Sequence, residues 1–134
     1  MLENYCKTIC IEARTMRSMA IKRIAPAIEN YAAELAAHVL AKRAVLPGIA
    51  CRFEENTMAS ISEQADLIYD DVQSLTEVLD SLSNADYCTD AGIIRDRLLP
   101  AMEKLRADSD AAERITSKQY WPLPNYGLLL FGEK

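Results

Sequence analysis

At 134 residues and 15.0 kDa the chain has room for one hydrophobic core and not two. Half of its residues are apolar and only four are Gly, a composition that favours helices over sheets. The net charge of −5 is unevenly spread: residues 53–90 carry ten Asp/Glu and no Lys or Arg, whereas residues 1–52 carry eight Lys/Arg against four Asp/Glu. An acidic middle third repels phosphates, so nucleic-acid binding by the whole surface is excluded.

From about residue 3 to residue 45 the pattern predicts one long helix. Ile9, Ala13, Met16, Ala20, Ile24, Ala27, Tyr31 and Leu35 recur every three or four residues and form a single apolar stripe. The stripe keeps its register through Pro26, which favours a kinked helix over two separate ones. About 40 residues at ~1.5 Å each would reach roughly 60 Å, so one end is expected to protrude or to be completed by a partner. Leu46-Pro-Gly-Ile49 supplies the stop.

A second helix is predicted over about 54–82. Ile61, Ala65, Ile68, Val72, Leu75, Leu79 and Leu82 share one side, with Glu63, Asp66, Asp70 and Glu77 opposite. Carboxylates strung along a helix do not enclose a cation as a loop does, so this acidic stripe reads as a solvated face. After a polar connection, with Thr89 or Asp90 as a plausible N-cap, a third helix is predicted over about 90–115. Ile94, Leu98, Ala101, Leu105, Ala112 and Ile115 form its stripe, Asp108 is the misfit and Pro100 lies inside it. Arg23-Ile-Ala-Pro-Ala-Ile-Glu29 is echoed by Arg97-Leu-Leu-Pro-Ala-Met-Glu103. Seven residues are too few to establish duplication, but two helices bent at equivalent heights would nest.

Residues 118–134 form an extended tail that cannot be helical. Pro122 and Pro124 fix φ, remove two backbone donors and push Trp121 and Leu123 towards extended geometry. Tyr120, Trp121, Pro122, Pro124, Tyr126 and Phe131 are the candidate packing or interface residues. So much apolar surface is costly in water, which makes the tail either an intramolecular latch or an intersubunit contact. The expected fold is therefore all-α: an elongated antiparallel bundle of three to four long, Pro-kinked helices with an aromatic and proline-rich tail, in one domain over 1–134.

Chemistry-bearing constellations are scarce. Cys6, Cys10, Cys51 and Cys88 include no Cys-x-x-Cys pair and have no His at ligand spacing, so they read as reduced, mostly buried thiols. A metal shared by Cys6, Cys10 and His38, or a disulfide, is the alternative. There is no phosphate-cradling Gly-rich loop. Glu12 with Arg14, Glu29 with Arg23, and the lone His38 are the residues a small all-α enzyme would have to use, and at helical spacing they read as surface groups. No catalytic, cofactor-binding or metal-binding residue is assigned. No run approaches the ~18 apolar residues of a membrane span, and the N-terminus lacks a secretory signal pattern, so a cytoplasmic location is expected.

Both ends of the chain resemble the C-terminal helical region of type III glutamine synthetases. Glu3-Asn-Tyr-Cys-Lys-Thr-Ile-Cys-Ile-Glu-Ala13 is similar to the family segment that follows the catalytic domain, and Met16 through Ile28 resembles the long helix after it. Leu99-Pro-Ala-Met-Glu103 resembles a step near the end of the last long helix, and Tyr120-Trp-Pro-Leu-Pro-Asn-Tyr-Gly-Leu-Leu-Leu-Phe131 the family's terminus. Leu128 departs from it, standing where the family has a polar, often acidic residue. The resemblance implies a cytoplasmic parent enzyme that joins ammonia to glutamate through a γ-glutamyl phosphate, using ATP and Mg or Mn ions held by residues upstream of Met1. It implies for this chain a non-catalytic, oligomer-building role, with the upstream catalytic domain and further copies as partners and Met1 as a truncation point. A free-standing helical adaptor that docks its aromatic tail onto a partner is the alternative.

Overall fold

The structure is a computed structural model that describes residues 1–123. Those residues are all-helical, with no strand among them. They form three helical rods. The first comprises α1 (Leu2–Met19), a π-helical turn (Ala20–Ile24) and α2 (Ala25–Val45). The second is α3 (Arg52–Asp80), and the third comprises α4 (Tyr87–Ile93), a second π-helical turn (Ile94–Leu98) and α5 (Leu99–Ile115).

The two π-helical turns show how a proline is carried inside a long rod. Pro26 and Pro100 are each the second residue of the helix that follows its turn. In a regular α-helix the ring would strike the carbonyl four residues earlier. Here the amide of Ala25 donates to the Ala20 carbonyl and that of Leu99 to the Ile94 carbonyl, each reaching back five residues. The wider turn takes in one extra residue and lets the rod continue past the proline.

Ile24, Ile28, Ile61, Ile68, Leu75, Ile94, Leu98 and Leu105 are fully enclosed where the rods meet. At roughly 1.5–3 kcal/mol each for removal from water, they supply the main cohesion between rods. Polar pairs record how α3 lies against its neighbours. Arg17 donates to Thr76 at 3.2 Å, while Lys42 pairs with Glu54 and Arg43 with Glu55 at 3.0 Å, so positions climb the first rod as they descend α3. Lys104 meets Asp71 at 3.2 Å and Gln64 donates to the Asp108 carbonyl at 3.1 Å, in the same opposed order. The Cys6 thiol lies 3.7 Å from the Tyr87 carbonyl, and so the third rod starts beside the start of the first.

The connection between α3 and α4 is built on two aspartates. Asp86 is the N-cap of α4, accepting from the amides of Cys88 and Thr89 at 3.2 and 3.3 Å and from the Thr89 hydroxyl at 2.7 Å. The cap expected at Thr89 or Asp90 is therefore three or four residues early. Asp90 is buried instead, and its carboxylate accepts from the Ser83 amide at 2.9 Å, the Ser83 hydroxyl at 3.1 Å and the Asn84 amide at 2.8 Å. These bonds hold the tight reversal in which Asn84 takes φ 61°, a left-handed conformation that Asn tolerates better than most residues.

Candidate functional site

Ile115 ends the third rod, and Thr116 turns extended while its hydroxyl donates back to the Ala112 carbonyl at 2.7 Å. The amides of Tyr120 and Trp121 then donate to the Ser117 carbonyl at 2.9 and 3.2 Å, closing a turn that reverses the chain. Beyond it the Tyr120 ring lies 5.4 Å from that of Tyr31 on α2, tilted by 32°. Its hydroxyl donates to the Glu34 carboxylate, which lies 4.0 Å from the His38 imidazole. That carboxylate would oppose a phenolate, and it pushes the Tyr120 pKa up. Trp121 packs half-buried against the core, Leu123 is enclosed within it, and Pro122 is exposed. Pro124, Tyr126 and Phe131 lie outside the described residues. Three of the six candidate tail residues are thus placed, and two of them, Tyr120 and Trp121, face the helices.

A second concave surface lies between α1 and α5. This cleft of about 930 Å³ is lined by Ile11, Met16 and Met19 of α1 and by Met102 of α5, with Arg14, Lys22, Arg23 and Arg106 around them. Glu12 is its one carboxylate, so four cations surround one anion. The spacing of Glu12, Arg14 and Arg23 had shown them only as surface groups. The structure gathers these three at one cleft and leaves Glu29 and His38 exposed elsewhere.

No arrangement suited to acid–base or nucleophilic catalysis forms among the described residues, and no group of three or more His, Cys, Asp or Glu there is placed to hold a metal ion. Cys6, Cys10 and Cys51 are buried free thiols, while Cys88 is free and exposed. Burial pushes the Cys6 and Cys10 thiols up, away from the reactive thiolate.

One charged cluster stands out between α3 and α5. Asp71 is buried, and Lys104 bridges it to Asp108 at 3.2 and 2.9 Å. Burial, reinforced by the neighbouring Asp108, pushes Asp71 up to about 7. Burial also pushes on Asp108, but its hydrogen bonds with Asp71 and Lys104 outweigh this and hold it below its usual value. Asp71 Oδ2 is enclosed without a donor, so a proton placed there turns it into a donor facing Asp108. The cluster lines neither concavity and reads as a proton-sharing strut between rods. Asp108 was visible in the sequence as a misfit. Asp71 was not singled out, although its place three residues after Ile68 puts it beside the apolar stripe.

The first 43 residues match the family model described as glutamine synthetase C-terminal domain. Across 138 aligned positions the chain is 27% identical to a glutamine synthetase of Butyrivibrio fibrisolvens, an alignment covering 98% of this chain and 19% of that relative. The chain therefore spans about a fifth of the length of the curated relative it matches. No solved structure matches it. Together the two matches support a glutamine synthetase C-terminal domain.

Proposed function

We propose that this chain is the non-catalytic C-terminal helical domain of a type III glutamine synthetase, one domain that buttresses the enzyme and helps to build its oligomer. The observation that carries this reading is an alignment running along 98% of the chain while covering only 19% of a glutamine synthetase. The parent joins ammonia to glutamate in the cytoplasm, with ATP and Mg or Mn ions held by its catalytic domain, and no residue of this chain takes part in that chemistry. Among the described residues no helix is long and apolar enough to cross a membrane, which agrees with such a location. The type within the family rests on the resemblance of the Tyr120-Trp-Pro-Leu-Pro-Asn-Tyr126 terminus.

The opposed order of the polar pairs along α3 supports an elongated antiparallel bundle. Support for a role in assembly comes from its α2–α3 end, where Leu40, Val45, Leu46 and Phe53 are all more than half exposed. An immunoblot of cells that make the chain, probed with antibody raised against it, tests the reading. A single band several times larger than 15.0 kDa is expected. A band at the chain's own size overturns it in favour of a free-standing adaptor.

A further inference from the structure

We propose that residues 124–134 of this same chain occupy the cleft between α1 and α5. The inference begins with the path of the described chain. After Ile115 the backbone reverses, and Tyr120 comes to lie on Tyr31 and Glu34 of α2. Trp121, Pro122 and Leu123 border a hollow with Glu113, Arg114 and Thr116 at the end of α5. The chain is thereby delivered into the furrow between the first and third rods. The cleft continues that furrow towards the start of both, from Arg23 down to Ile11 on one wall and from Arg106 to Met102 on the other.

Reach and chemistry agree with this course. From Tyr31 to Ile11 is a climb of about 30 Å at ~1.5 Å per residue. Residues 124–134 can span at most about 36–40 Å when extended. The segment offers Tyr126 and Leu128-Leu-Leu-Phe131, then Glu133. Apolar side chains of that size suit walls of Ile11, Met19 and Met102, since methionine thioethers adapt to irregular partners. Ile11 is otherwise 63% exposed, an unusual state for an isoleucine beside a concave surface. Glu133, arriving last, would meet Arg14 and Lys22 rather than the acidic α3. The indole N–H of Trp121 is buried with no acceptor among the described residues, and the first carbonyls of the segment pass close to it.

A spin label tests the placement without truncating the chain. Lys134→Cys, in a Cys88→Ser background that leaves only buried thiols, is tagged with a nitroxide, and methionine methyl signals are recorded by NMR. Met19 and Met102 should lose most of their intensity. Met58 should keep its own, because it lies one turn from Glu54, whose partner Lys42 stands about 35 Å along the rod from Met19. Unaltered Met19 and Met102 signals would overturn the proposal. So would attenuation that persists when spin-labelled chains are mixed with isotope-labelled, untagged ones, since the cleft would then hold a second copy's segment. As an independent check, the full-length Leu129→Asp, Leu130→Asp variant should shift the Met19 and Met102 methyl resonances and leave Met58 in place.

Discussion

Asp71 binds its proton more tightly in the fold than in the unfolded chain, and this sets the direction of its pH effect. Its carboxyl is raised from 3.8 to about 7, so its contribution to stability is fully present below pH 3.8 and is lost as pH climbs through about 7. Asp71→Asn removes the ionisable group and keeps an N–H that can donate to Asp108. Thermal melts across pH 4–8 should show the variant more stable than the parent at pH 8, by about 1–2 kcal/mol, with the difference shrinking towards pH 4. Asp90 gives the opposite expectation. Its buried carboxylate accepts three hydrogen bonds from Ser83 and Asn84, and Asp90→Ala leaves those donors without it. A loss of about 2–4 kcal/mol in urea unfolding is expected. A loss no larger than that of a surface substitution would mean that water replaces the carboxylate freely.

At the scale of elements, the stripes were legible because burial of one face imposes a period that any amphipathic helix must show. All eight residues picked out along the first rod, from Ile9 to Leu35, are buried or half-buried, as are all seven on α3. Cys6, Cys10 and Val39 extend the buried face of the first rod beyond those picked out. The π-helical turns were not legible. One extra residue shifts the stripe by less than its own width, and Pro26 was compatible with a kink or a break. The N-cap was missed for a different reason. Ser83, Asn84, Asp86, Thr89 and Asp90 are all competent caps, and only the burial of Asp90 against the loop decides between them. The bends also do not nest. The two Arg-to-Glu motifs are 74 positions apart (97 minus 23), whereas Cys6 and Tyr87 place the rods 81 positions out of register. The bends are therefore staggered by roughly 10 Å. If Pro26 is what requires the π-helical turn, removing one exposed residue there, Lys22, should restore α-helical spacing and force the ring onto a carbonyl. That deletion should cost about 3 kcal/mol or more, and adding Pro26→Ala should return most of it. Chemical denaturation of the two variants checks this, and equal stabilities would show that packing alone holds the turn.

For the whole molecule, the charge blocks find their use at the contacts between rods. Basic residues on either side of α3 reach its carboxylates at Glu54, Glu55 and Asp71, while Glu63, Asp66, Asp70 and Glu77 stay exposed with no ion pair among the described residues. Beyond the end of α5, α2 and α3 continue as a pair towards their connection. The side chains left without cover there are large and apolar: Leu40 at 75%, Val45 at 79% and Phe53 at 67% exposure. A surface of this kind adds little to the stability of the chain that carries it, so its presence is better explained by a neighbour. Leu40→Glu with Phe53→Glu separates the two roles. The doubly substituted chain should melt within about 0.5 kcal/mol of the parent, because neither side chain is part of the enclosed core. In the larger protein the same pair should lower the assembly's mass in analytical ultracentrifugation, since two buried charges per contact oppose association. An unchanged assembly would move the oligomer-building surface elsewhere on the domain, and a large drop in the melting temperature of the chain alone would make the exposed end part of its own fold.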